Sequence, residues 1–221
     1  MTEQPQVIAV IGGTGAEGRG LALRWAAAGH RVIIGSRDAV RAGETAREIS
    51  ATVPESKVEG DERLGAAQKA QVVVLAVPYA AQLDTARLIA PALQGKILID
   101  VTVPLMPPKV STVQLPPEGS CVVRLQRELG EGVKVVSAFQ NVSAHKLGDP
   151  SYAIACDVLV CADDKEARQA VIGLAADAGL RGINAGPLAN SAAAEAMTSL
   201  LIWINRAYKV PDAGLAITGI R

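Results

Sequence analysis

"VIAVIGGTGAEGRG", residues 7 to 20, decides how this chain folds. An unbroken aliphatic run stops at a pair of glycines, and Gly13, Gly15 and Gly18 then fall in the spacing G-x-G-x-x-G. A run with no polar alternation is the mark of a strand buried on both faces. The next stretch, "AEGRGLALRWAAAG" (16–29), has helical periodicity, so the glycines lie on a strand-to-helix turn. Gly13 permits the tight turn, Gly15 lets a ligand approach the backbone, and Gly18 lets the helix pack closely on the strand. Thr14, Ala16 and Glu17 complete the turn, and Thr14 can donate its hydroxyl to a phosphate or to local backbone. The free N–H groups of a helix start favour an anion. Glycines alone carry little information, but here a second strand ends about 20 residues later, as a dinucleotide-binding unit requires.

That second strand ends in "RVIIGSRD" (31–38). An acid at this point would accept hydrogen bonds from the ribose hydroxyls of NAD and repel the 2′-phosphate of NADP. This chain has Ser36 and Arg37 instead, a compact donor and a planar cationic fork, with Arg41 one helical turn further on. The charge pattern predicts NADP(H). Two alternatives stay open: an ordinary solvated helix face for Arg37 and Arg41, or an NAD-type acid in Asp38 if the strand ends later. Asp38 is otherwise placed to cap the next helix.

Working outward, "RVIIG" (31–35), "VVVLAV" (72–77) and "KILID" (96–100) repeat the buried-strand signature of 7–12, separated by helical "AVRAGETAREIS" (39–50) and "YAAQLDTARLIAPAL" (79–93). "SKVEG" (56–60) adds a fainter strand signal. Residues 101–132 carry prolines at 104, 107, 108, 116 and 117, so a long loop is expected, followed by a helix around "VVRLQREL" (122–129). Strands are expected at "VKVVSAF" (133–139), "CDVLVCA" (156–162) and "LRGINAG" (180–186), with a helix at 164–179 between the last two. The longest helical pattern is 187–209, with Pro187 in its first turn. Successive βαβ units make a Rossmann-type, doubly wound, mostly parallel α/β sheet with a small C-terminal α/β extension. Residues 1–221 read as a single dinucleotide-binding unit whose small C-terminal part begins at about residue 150.

Composition narrows the function. Twenty-two Lys and Arg balance twenty-two Asp and Glu, so no basic excess points to nucleic acid or to an anionic membrane. Aromatics are only 3%, which leaves little for base-stacking surfaces. No apolar run approaches the roughly 20 residues that span a bilayer, and "MTEQPQVIAVIGG" lacks a signal-peptide pattern, so a cytoplasmic location is expected. Cys121, Cys156 and Cys161 show no CxxC spacing and read as buried, inert thiols, while two histidines, His30 and His145, exclude a multi-histidine metal site.

At the third strand, "LAVPYAA" sets Pro78 and Tyr79 at the carboxyl edge of the sheet, where ligands bind in open α/β folds. Tyr79 is placed either to flank a ribose or nicotinamide or simply to begin a helix. No catalytic Lys, Tyr-x-x-x-Lys pair or His and Asp dyad stands out. Transfer of a hydride between two rings needs them held face to face with water excluded, and neither ring needs a protein nucleophile.

"GGTGAEGRGLALRWAAAGHRVIIGSRD", "LAVPY", "VVSAFQNVSA", "CDVLVCADD", "AGPLANS" and the ending "INRAYKVPDAGLAITGI" together resemble the NADPH-dependent reductases of coenzyme F420, a 5-deazaflavin. The resemblance covers nearly the whole chain in order. It implies a Rossmann domain with a small C-terminal part, reversible hydride transfer between NADP(H) and F420, and a homodimer or higher oligomer. It assigns Thr14 to Glu17 to the pyrophosphate turn and Ser36, Arg37 and Arg41 to the 2′-phosphate. Tyr79, Val103 and Ala144 go to the NADP ribose or nicotinamide, and Gln140, Val142 and Gly214 to the deazaflavin. Two departures stand out. Some members have histidine where this chain has Gln140, and an amide can donate a hydrogen bond but cannot titrate. Some place a basic residue after "NS", which "AGPLANSAAAEA" lacks. The rival readings are an NADPH-dependent reductase of another acceptor (a flavin, a metal complex or an imine) and a regulatory module that binds NADP without turnover. The apolar excess of "AAAEAMTSLLIWINRAY" fits either a partner subunit or a helix buried in a monomer core.

Overall fold

The computed structural model describes residues 4–220; residues 1–3, part of the segment read above for a leader, and residue 221 lie outside it. Strands β1 (Val7–Ile11), β2 (Arg31–Ser36), β3 (Lys57–Glu62), β4 (Val72–Leu75), β5 (Ile97–Asp100) and β6 (Lys134–Ser137) form one parallel sheet in the order β3-β2-β1-β4-β5-β6. The order reverses between β1 and β4, which opens a crevice at their carboxyl ends.

The aliphatic runs behave as two-faced strands should. Ile8, Val10, Val32, Ile34, Val72 and Val74 join the apolar layer under α1 (Ala16–Ala27) and α2 (Ala39–Thr52). Ala9, Ile11, Ile33, Val73 and Leu75 join the opposite layer, under α3 (Arg63–Lys69), α4 (Gln82–Ile89) and α5 (Cys121–Leu129). A period of two sends alternate residues to opposite faces, and both faces are covered.

The short α6 (Ala144–Leu147) follows β6. Beyond it, β7 (Asp157–Val160), α7 (Lys165–Asp177) and β8 (Arg181–Asn184) build a separate two-stranded parallel sheet, and α8 (Ser191–Tyr208) closes the chain. The two sheets meet through an antiparallel bridge between Ser137 and Cys161. α6, the segment after it and the end of α7 dock on α1. Arg24, buried, donates to five carbonyls, those of Lys146, Leu147, Asp149 and Tyr152 before β7 and that of Ala178 at the end of α7, at 2.6–3.2 Å. Next to it, Trp25 donates to the Leu174 carbonyl at 2.9 Å and meets Phe139 edge-on.

The elements depart from expectation in a few places. The faint signal at 56–60 is a full strand, β3; it is an edge strand with only partial burial, so its sequence carries charge where the inner strands carry Val and Ile. The turn of helix α3 was not anticipated, because seven residues including Gly65 show too little periodicity. The helical pattern at 79–93 resolves into α4 flanked by two 3₁₀ turns, the second containing Pro91. Pro187 precedes a further 3₁₀ turn, Leu188–Asn190, and the long helix starts only at Ser191. That helix is not wrapped in the core: Leu200, Trp203 and Tyr208 are 46%, 59% and 76% exposed. No helix among the described residues is long and apolar enough to cross a membrane.

Candidate functional site

The carboxyl ends of β1, β2 and β4 enclose a cleft of about 570 Å³, lined by Gly12, Thr14, Gly15, Ser36, Arg37, Asp38, Arg41, Arg63, Ala76, Val77 and Pro78. Its floor is the glycine turn. Gly12 donates its N–H to the Gly35 carbonyl at 2.9 Å, and Gly15 donates to the Gly12 carbonyl at 2.9 Å, so the chain folds back sharply before α1 begins. The tight turn rests on Gly12, where the sequence pattern put it on Gly13: Gly12 has φ +87°, and a Cβ there would lie 2.2 Å from the Ala76 carbonyl oxygen. At Gly18 a Cβ would stand 2.8 Å from the Gly12 carbonyl oxygen, which is the close approach of helix to turn expected there. Gly13 sits beneath the turn, against Val10 and Ile34.

The walls are cationic. Arg37, Arg41 and Arg63 make no ion pair among the described residues. Burial, with the neighbouring Arg37 charge, holds the Arg63 guanidinium below its ordinary value. Asp38 lines the cleft, but its Oδ1 is engaged at the start of α2, accepting from Val40 N–H at 2.9 Å and Arg41 N–H at 3.2 Å. Ser36 Oγ accepts from Asp38 N–H at 3.3 Å and remains free to donate. Unpaired guanidiniums around a backbone-lined hollow are suited to a dinucleotide bearing an additional phosphate. These residues therefore fit NADP.

Of the residues singled out in the sequence, Thr14, Gly15, Ser36, Arg37, Arg41 and Pro78 line this cleft. Glu17 lies just behind it in the first turn of α1. Among the described residues its Oε1 is sealed from solvent without a hydrogen-bond partner, and burial together with the charge of Asp100 pushes its carboxyl up to about 8. Asp100, fully buried at the end of β5, is itself pushed up to about 6 by burial, although Gln82 and the Thr102 N–H donate to it at 2.5 and 2.9 Å. Ala16 opens α1. Tyr79 begins a 3₁₀ turn, with the Arg124 guanidinium 5.0 Å from its ring centroid. Val103 follows β5 in the loop, where its carbonyl accepts from Leu105 N–H at 2.7 Å.

A second group gathers beyond β6. Gln140 is buried and donates to the Asp100 carbonyl at 2.8 Å, while its own Oε1 has no partner among the described residues. Its carbonyl accepts from Thr198 Oγ1 on α8 at 2.7 Å. Phe139, just before it, is fully buried with φ +72°, a left-handed conformation that costs a non-glycine residue about 1–3 kcal/mol and that packing must hold in place. Val142 is buried and Ala144 starts α6. Gly214 lies in the C-terminal tail, where a Cβ would stand 2.9 Å from Cys156 Cβ. Cys121, Cys156 and Cys161 are free and buried, and no cluster suited to a metal occurs among the described residues.

Residues 7–104 match the family described as NADP oxidoreductase, coenzyme F420-dependent. The F420-dependent NADP reductase of Methanocaldococcus jannaschii is 40% identical over 96% of this chain and 98% of its own length. The chain belongs to the F420-dependent NADP reductase family. The reductase of the same name from Methanothermobacter thermautotrophicus is 42% identical, covering 96% of this chain and 95% of its own. A solved structure from Arthrobacter sp. FB24, described as a candidate F420-dependent NADP reductase, superposes with a TM-score of 0.79 at 27% identity, covering 97% of this chain and all of its own. The family match spans the glycine turn, Ser36, Arg37, Arg41 and Arg63, so the cationic cleft lies wholly within the matched residues.

Arg63, Gly12, Ala76 and Val77 are cleft residues that sequence reasoning did not single out. Gly12 had a legible signal, the GG pair that ends β1. Ala76 and Val77 follow the end of β4 as Gly12 follows β1. Arg63 had none, because its place depends on β3 pairing with β2.

Proposed function

We propose that the chain transfers a hydride reversibly between NADP(H) and the deazaflavin coenzyme F420. The observation that carries this is the cleft where Arg37 and Arg41, without ion pairs among the described residues, stand beside Ser36, in a chain 40% identical over nearly its full length to an F420-dependent NADP reductase. The protein's contribution is positional. The turn at Thr14 to Glu17 holds the pyrophosphate with backbone N–H groups, and Ser36, Arg37 and Arg41 hold the 2′-phosphate. Pro78, Tyr79, Val103 and Ala144 border the ribose and nicotinamide, and Gln140, Val142 and Gly214 border the deazaflavin. The two rings supply the redox chemistry themselves, and the chain's residues orient them and keep water out. The buried Gln140, with its unpartnered Oε1, supplies an acceptor that cannot change charge with pH.

The chain works as one dinucleotide-binding unit with a small C-terminal part from about residue 150, and we place it in the cytoplasm as part of the same reading. We further assign it a homodimer or higher homo-oligomer, supported by the exposed Leu200 and Trp203 on α8. The test mixes purified protein, NADPH and oxidised F420 and follows the visible absorbance of the deazaflavin. Bleaching above a protein-free control is expected, and its absence overturns the assignment. Arg37→Asp should weaken NADPH binding at least tenfold more than NADH binding; equal losses refute the phosphate assignment.

A further inference from the structure

Three arginines, from two strand ends and a helix, point into one cleft, and only two of them are explained by the pattern at the end of β2. β2 and β3 run parallel with Ser36 opposite Glu62. The residue after each partner therefore leaves the sheet at the same level, so Arg63 emerges beside Arg37. Both line the cleft, together with Arg41. Parallel pairing alone would not make a side chain a ligand group. Arg63 lines the cleft, and among the described residues its Nε is buried without a hydrogen-bond partner and its guanidinium has no ion pair. The acids nearest in sequence do not neutralise it. Asp61 is held by Lys69 at 2.8 Å, and Glu62 is exposed. Burial disfavours an unpaired charge, and the adjacent Arg37 adds repulsion, so the arrangement is costly until an anion arrives.

We propose that Arg63 is a specificity-determining residue of this site, a third guanidinium that closes on the ribose 2′-phosphate from the β3 side, opposite Arg41. The inference rests on the NADP reading given above and goes beyond it in assigning a residue from another strand. A dianionic phosphate has enough acceptor oxygens for several guanidiniums, and a partly buried fork binds it more strongly than an exposed one. Neutral Ser36 and the two arginines near β2 would then account for only part of the preference for NADP over NAD.

The probes are 2′,5′-ADP and 5′-AMP, which share adenosine and differ in the 2′-phosphate. Their dissociation constants are measured by calorimetry on the full chain, with Arg63→Gln and Arg63→Lys. Arg63→Gln is expected to weaken 2′,5′-ADP about 10- to 100-fold, the size of one charge-assisted hydrogen bond, and to leave 5′-AMP within about twofold. Arg63→Lys should recover part of the loss, because it restores the charge without the fork. Equal weakening of both probes would mean that Arg63 serves the adenine, and no weakening of either would mean that it faces solvent; each overturns the proposal. If the unmodified protein itself shows no preference for 2′,5′-ADP over 5′-AMP, the NADP reading fails and Arg63 falls with it. A retained preference in Arg63→Gln defeats the Arg63 assignment alone. Circular dichroism and the unfolding midpoint confirm that each variant is folded.

Discussion

Replacing Glu17 by glutamine tests whether a partly buried carboxyl sits protonated behind the nucleotide turn. Its Oε1 is sealed from water with no partner, and burial, then the charge of Asp100, raises the carboxyl from 4.5 to about 8. The sign follows from proton counting. Between those two values the folded chain keeps a proton that the unfolded chain has released, so stability falls as pH rises through this window. A shift of this size has a ceiling of about 5 kcal/mol, at roughly 1.4 kcal/mol per pKa unit. Water drawn in around the ionised group lowers the realised loss, so a difference of about 2–4 kcal/mol is expected. Glu17→Gln keeps the shape and cannot ionise. Urea unfolding at intervals from pH 5 to 8.5 should show the two proteins within about 1 kcal/mol at the acid end, with the variant increasingly more stable toward pH 8.5. Parallel curves for the two proteins would refute the reasoning, as would a wild type that gains on the variant with rising pH.

Two further substitutions probe the scaffold. Gly12→Ala places a Cβ 2.2 Å from the Ala76 carbonyl oxygen at φ +87°, and should cost about 3 kcal/mol or more and loosen nucleotide binding; a thermal unfolding midpoint unchanged within a degree would contradict this account of the turn. Arg24→Met strips the donor from five carbonyls where α6, the 148–152 segment and the end of α7 dock on α1, and should cost about 3–5 kcal/mol. Hydrogen exchange should then reveal α6, residues 148–152 and α7 losing protection before the main sheet, and uniform loss across both would show that Arg24 does not serve the junction.

The features legible in the sequence are those carried by short stretches of chain. The strand, the glycine turn and the helix start lie within residues 7–20, and Ser36, Arg37 and Arg41 within one further strand end, so local patterns expose them. The same locality explains the misplaced turn. Spacing points to Gly13, but which glycine needs a left-handed backbone depends on the Ala76 carbonyl, which arrives from β4. The edge strand β3 was faint because partial burial relaxes the demand for apolar residues. The separate β7–β8 sheet was hidden because its strands look like those of the main sheet, and only the antiparallel bridge from Ser137 to Cys161 shows where the parallel order stops.

By itself the sequence determined the fold class and the phosphate-binding ends of β1 and β2, since hydrophobic periodicity, glycine placement and charge at a strand end act over a few residues. Tertiary structure alone decided that Arg63 stands beside Arg37, that Glu17 Oε1 is sealed within reach of the Asp100 charge, and that Trp203 stays exposed on α8. Each depends on strands and helices distant in the chain being brought side by side, and no local pattern records which neighbours packing will supply.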